Sequence, residues 1–111
     1  MALRNIRTVG DEILAKRARE VKENTPKIQE LIDDMLETMY NADGVGLAAP
    51  QVGVLTRIFV IDCSEERTQP FVFINPEIIE TSGEQTGAEG CLSVPGKAGI
   101  VTRPSHVKVK A

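Results

Sequence analysis

Ile28, Leu31, Ile32, Met35, Leu36 and Met39 recur at three- and four-residue steps, with Lys27, Gln29, Glu30, Asp33, Asp34 and Glu37 between them. That spacing draws one apolar stripe along an α-helix, and such a stripe has to be buried against another layer. Thr25 is placed to cap the helix, and Pro26 suits its first turn, where a missing N–H costs nothing. The helix is expected to end by Gly44, where left-handed or extended backbone is cheap.

After Gln51 the pattern changes to short segments rich in Val, Ile and Phe. Residues 57–63, 71–75, 77–82 and 106–111 read as strands, with 98–102 a weaker signal, and prolines and glycines punctuate them. Before the helix, Asp11-Glu12-Ile13-Leu14 can open a short helical turn after an extended Ile6–Val9. The expected fold is therefore α+β, an amino-terminal amphipathic helix followed by mostly antiparallel short strands. No repeat or linker divides the chain, so residues 1–111 read as a single domain. Val107-Lys108-Val109-Lys110-Ala111 alternates as a half-buried strand and then stops, which suggests an incomplete domain; a natural edge strand guarded by lysines is the other reading.

An apolar fraction of 41% and a charged fraction of 26% are those of an ordinary globular chain with a modest core. The net charge is −3 with Lys and Arg scattered, which argues against nucleic-acid binding. The first residues carry no apolar run long enough for a signal peptide, and no stretch approaches transmembrane length, so a cytoplasmic address and no membrane are expected. Cys63 and Cys91 then read as reduced thiols. Cys63 ends the run Ile58–Asp62 and is expected to be a small core residue.

Two segments carry chemistry. Gly44-Val45-Gly46-Leu47-Ala48-Ala49 fits a dinucleotide pattern, but it follows a helix rather than a strand, and Pro50 interrupts the helix that should come next. Read instead as a strand-like segment, it leaves glycines where another backbone can approach, so an extended peptide could pair with it. Gln51 then offers neutral N–H donors to a developing oxyanion. A glycine-rich turn with an exposed Gln is the plainer alternative.

The second segment is Glu89-Gly90-Cys91-Leu92-Ser93. Gly90 admits a close backbone, the Leu92 amide can donate toward an oxygen beside Cys91, and Glu89 either supports the site by hydrogen bonding or is solvated. Cys91 itself is a metal ligand, an acyl-transfer nucleophile or an inert core thiol. A nucleophile needs a base, and His106 is the only histidine. A catalytic metal of the zinc type takes three protein ligands, and the helical His-Glu-x-x-His pair that commonly supplies two of them is absent from these residues.

Taken together, Gly44-Val45-Gly46-Leu47-Ala48-Ala49-Pro50-Gln51 and, forty residues on, Glu89-Gly90-Cys91-Leu92-Ser93 resemble the first and second signature motifs of bacterial peptide deformylases. The preceding helix and Asn75-Pro76 fit the same pattern, so the resemblance spans all 111 residues. It implies a ribosome-associated hydrolase that removes the formyl group from the initiator methionine of new polypeptides. In the family a divalent metal, Fe2+ or in its place Zn2+ or Ni2+, is held by the motif cysteine and two histidines; it activates water and polarises the formyl carbonyl. By that match Cys91 is the thiolate ligand, and Gln51 and the Leu92 amide stabilise the oxyanion. Val45, Gly46 and Gly90 flank the backbone of the N-formylmethionyl peptide, with Val45 also touching the methionine side chain.

The family's third motif, on a carboxy-terminal metal-binding helix, has no counterpart here, and His106 matches neither of its histidines. This chain alone is therefore expected to be inactive, to hold the metal poorly, and to be marginally stable or covered by self-association. The competing expectation is a non-catalytic peptide-binding module that keeps the substrate-pairing edge.

Overall fold

The computed structural model describes residues 3–111, with all side chains except those of Pro95, Lys97 and Ala98. Helix α1 spans Pro26–Asn41. It starts where the sequence places it, because the Thr25 hydroxyl accepts the Ile28 N–H at 3.3 Å and Pro26 opens the first turn. It ends at Asn41, ahead of Gly44 as expected, and the left-handed residue in the turn that follows is Asp43, with φ 55°. A short polar side chain tolerates that conformation, and the Gly44 N–H then folds back to the Met39 carbonyl at 2.9 Å.

The α1 stripe is buried as its spacing requires. Leu31, Ile32, Met35 and Met39 form the core with Leu47, Ala49, Val52, Ile58 and Val60. Those partners come mainly from a three-stranded antiparallel sheet in which β1 (Gly46–Ala48) pairs with β2 (Ile58–Ile61), and β2 with β3 (Phe71–Ile74). Asp34, expected on the polar face, is buried instead, where Arg4 pairs with it at 2.8 Å. A charge is tolerated in such a place only when it is paired.

Two further antiparallel pairs follow. Strand β4 (Glu77–Ser82) lies against β7 (His106–Lys110), and β5 (Gln85–Cys91) against β6 (Val94–Arg103). Strand β5 was not foreseen as a strand, and β6 runs well beyond 98–102. In β7 the alternation holds only at Val109, since Val107 is 53% exposed. Among the described residues no helix is long and apolar enough to cross a membrane.

Cys63 is exposed, contrary to the core role expected of it. The reason is the two-residue period of β2. Ile58 and Val60 point inward, and the next inward position falls to Asp62, leaving Cys63 outside. Burial alone would raise the pKa of Asp62. Hydrogen bonds from the Ser64 hydroxyl and Tyr40 hydroxyl (both 2.5 Å), the Ser64 N–H (2.9 Å) and the Gln69 N–H (3.2 Å) overcome that and hold it at about 2.

Two outcomes are expected. Met35→Ala, at a position with no exposure, lowers the unfolding free energy in a urea titration by about 2–5 kcal/mol, the usual range for such a truncation. Asp62 is more acidic folded than unfolded, where a carboxyl titrates near about 3.9, so its stabilising contribution is complete above that pH. It is lost as the pH falls toward about 2. Acid melts followed by circular dichroism should show this loss in the wild type and not in Asp62→Asn.

Candidate functional site

Gln51 sits in a 3₁₀ turn, Ala49–Val52, that follows β1 directly. Pro50 belongs to the first positions of this turn, where its missing N–H is harmless. The side chain of Gln51 folds back so that Oε1 accepts the Ala48 N–H at 3.0 Å. This assignment orients the whole amide, because a backbone N–H can face only the oxygen. Nε2 is thereby turned toward Ser93 Oγ at 3.0 Å and Cys91 Sγ at 3.7 Å.

Cys91 reaches that position through a local irregularity. Along β5 and β6 the pairing runs regularly to Gly90↔Ala98 and then jumps to Cys91↔Val94. The extra residues 95–97 bulge out of β6, with Gly96 at φ 73°, a conformation that favours glycine. Leu92 and Ser93 are left as the two-residue connection between the strands, with Cys91 exposed at its start. Ser93 is 5% exposed, and its carbonyl accepts the Val9 N–H at 2.7 Å. The Arg7 N–H donates to the Gln51 carbonyl at 2.6 Å, so one amino-terminal stretch is bonded to both motif segments.

Val45, Gly46, Gln51, Gly90, Cys91 and Leu92 all line one open cleft of about 660 Å³. Contact between the motifs is close: a Cβ at Gly44 would stand 2.7 Å from Leu92 Cδ1, so this position has no room for a side chain unless Leu92 moves. Val45 is 56% exposed on the cleft wall. Strand β1 is the end strand of its sheet, with one edge taken by β2. Its other edge has the geometry for an added extended strand.

The structure separates other residues from this cleft. His106 lies exposed on β7, beside Ser105 Oγ at 3.1 Å, and lines a different hollow with Glu80 and Ser82. It is not placed to serve Cys91 as a base. Glu89 is exposed and paired with Arg103 at 2.9 Å. Ser93 is the polar residue that sequence reasoning passed over as a site member, although its place two residues after Cys91 was visible.

Cys91 suits one thiolate position of a metal centre. Among the described residues, however, no three His, Cys, Asp or Glu side chains are grouped so as to hold a metal ion. Since a catalytic site takes three protein ligands, the described residues do not by themselves fit a catalytic metal.

The comparisons with known proteins agree with one another. The family model described as polypeptide deformylase matches residues 3–111. The peptide deformylase of Lachnoclostridium phytofermentans is 69% identical over 111 residues, which are 100% of this chain and 68% of that protein. That of Agathobacter rectalis is 70% identical over 110 residues, 99% of this chain and 68% of that one. The crystal structure of a peptide deformylase from Legionella pneumophila superimposes with a TM-score of 0.95 at 48% identity, covering 99% of this chain and 65% of that one. The Thermotoga maritima structure gives 0.92 at 42% identity, with 98% and 73% covered. The chain thus spans about two thirds of the length of the relatives it matches.

Ser93→Ala removes the acceptor that fixes the Gln51 amide. It is expected to cost about 1 kcal/mol of stability, the net worth of one hydrogen bond. It should also broaden or shift the Gln51 side-chain NH2 resonances while leaving those of Asn24 and Gln29, which bond to each other, where they are.

Proposed function

The chain belongs to the polypeptide deformylase family, and from that membership we propose that it forms the peptide-recognising, thiol-bearing part of a hydrolase that removes the formyl group from the amino-terminal methionine of new polypeptides. The observation that carries this reading is the approach of Gln51 Nε2 to Cys91 Sγ, 3.7 Å apart at a cleft bordered by an edge strand. Two motifs forty residues apart meet there, and each brings a different chemical capacity.

In this reading the N-formylmethionyl peptide lies extended beside β1. Gly46 and Gly90 let its backbone approach, and the exposed Val45 side chain meets the methionine. The formyl carbonyl lies toward Gln51 and the turn at Leu92. As water adds to that carbon, negative charge gathers on its oxygen, where the Gln51 amide and the Leu92 N–H can donate. Such donors accelerate reaction because they bind the charged transition state more strongly than the neutral carbonyl. A pinned amide adds to this, since it does not reorient as the charge develops. Oε1 is bound to Ala48 and Nε2 is directed by Ser93.

The family is metal-dependent. We infer that Cys91 contributes one ligand to a divalent ion, iron(II), zinc or nickel, whose other ligands do not come from the described residues. The 111 residues alone are then a binding unit rather than a catalyst. The cytoplasm, where ribosomes release formylated chains, is the matching location. A hydrolase is favoured over a purely binding module because the family assignment covers the whole of residues 3–111.

Formate release from formyl-Met-Ala-Ser tests the reading. The 111-residue chain with added metal is expected to show no turnover. A protein extended to the length of its relatives should turn over, with Cys91→Ala inactive and Gln51→Leu reduced about 10²–10³-fold in kcat, as for loss of one oxyanion donor. Turnover that survives both substitutions would sink the assignment of this cleft.

A further inference from the structure

The glycines that let a peptide approach the cleft also create a problem. Gly44 and Gly46 flank Val45, and glycine gives up more backbone freedom on ordering than any other residue. Something outside the segment has to hold its path. Strand pairing does so from Gly46 onward, since Gly46 is partnered with Ile61. Ahead of that point the Gly44 N–H is bonded to Met39 of α1, and the carbonyls of Gly44 and Val45 are held by the loop that joins β2 to β3.

The Asp62 N–H donates to the Val45 carbonyl at 2.9 Å. The Arg67 guanidinium donates through Nη2 to the Gly44 carbonyl. Arg67 is itself constrained. Its guanidinium carbon lies 5.3 Å from the centroid of the Tyr40 ring, within cation–π range. The Tyr40 hydroxyl is bonded in turn to Asp62. The backbone of Arg67 is left-handed, with φ 57°. A long side chain rarely takes that conformation, which persists where the surroundings over-determine it. Here it turns the guanidinium back over Tyr40 to the Gly44 carbonyl, two residues ahead of the strand.

We propose that Arg67 is a positioning residue for peptide recognition: through the Gly44 carbonyl it holds residues 44–46 in the path along which a substrate strand pairs, while lying outside the cleft itself. The inference rests on reading that cleft as a peptide site. It also links the motifs, because Gly44 is pressed against Leu92 and a shift of one displaces the turn that bears Cys91.

The test uses the 111-residue chain, with Arg67→Met, which keeps an unbranched stem without the donors, Arg67→Lys, which keeps one donor group and the charge, and Ile32→Val as a control that weakens the core only. Amide hydrogen exchange is measured without ligand, and affinity for formyl-Met-Ala-Ser by calorimetry. Arg67→Met should speed exchange at residues 44–46 and weaken peptide binding, each by about tenfold, the scale of one charge-assisted hydrogen bond. Arg67→Lys should fall between it and wild type, and exchange in β4 and β7 should be unchanged. Ile32→Val should lower the melting temperature without the local effect. Equal peptide affinity in wild type and Arg67→Met overturns the role of Arg67, as does faster exchange spread over every element. A wild-type chain that does not bind the peptide strikes down the reading of the cleft, and the recognition role with it.

Discussion

The seating of α1 on β1 and β2 is the contact from which the rest of the arrangement follows. Met35 and Met39, with no exposure, sit under Leu47, Ala49, Ile58 and Val60. Fully burying a side chain of this size is worth roughly 1.5–3 kcal/mol, so this one interface supplies much of the apolar driving force in a small core. It also sets a direction. A strand whose inner face is fixed by Leu47 must turn Gly46 and Ala48 to its other face, and the 3₁₀ turn that follows has little choice about where Gln51 emerges.

What could be read from the sequence follows the range of the forces involved. Helix α1 and its Thr25 cap are local: the period, the hydroxyl and the proline all lie within sixteen or so residues, and the structure agrees with them. Strand β5 carries no such signal. Gln85–Cys91 contains two glycines and no β-branched residue other than Thr86, and it is held by its partner, with Thr86 and Thr102 hydroxyls 2.9 Å apart and Glu89 paired to Arg103. Such pairs stabilise a strand only once the partner is known. Asp34 and Cys63 were misplaced for a related reason. A charged residue inside and a thiol outside each depend on one distant or alternating neighbour, Arg4 in the first case and Asp62 in the second.

The six residues singled out for the candidate site line one cleft, and the sequence offered their motifs without the geometry that joins them. Gln51 and Cys91 could be named from their motifs, but their meeting depends on the bulge at residues 95–97 and on backbone contacts from Arg7 and Val9. Main-chain donors leave no mark on residue identity, so no reading of side-chain types would have found that tie. Ser93 is intermediate: its hydroxyl was in plain view, and only the orientation of the Gln51 amide gives it a task.

Polar groups in this fold are assigned one after another until few remain. Strand β2 takes one edge of β1, Arg7 and Val9 take the carbonyls of Gln51 and Ser93, and Arg67 and Asp62 take those of Gly44 and Val45. Ala48 fixes the oxygen of the Gln51 amide, and Ser93 accepts from its nitrogen. An amide nitrogen carries two hydrogens, so one donor of Gln51 is left facing the sulfur of Cys91 and the open cleft. The outer edge of β1 is left beside it. A ligand that satisfies both must offer an extended backbone and, at its end, an oxygen that gains from a neutral donor. A peptide whose amino terminus is acylated by a small carbonyl group has that form, whereas a free ammonium terminus would present a donor to a donor.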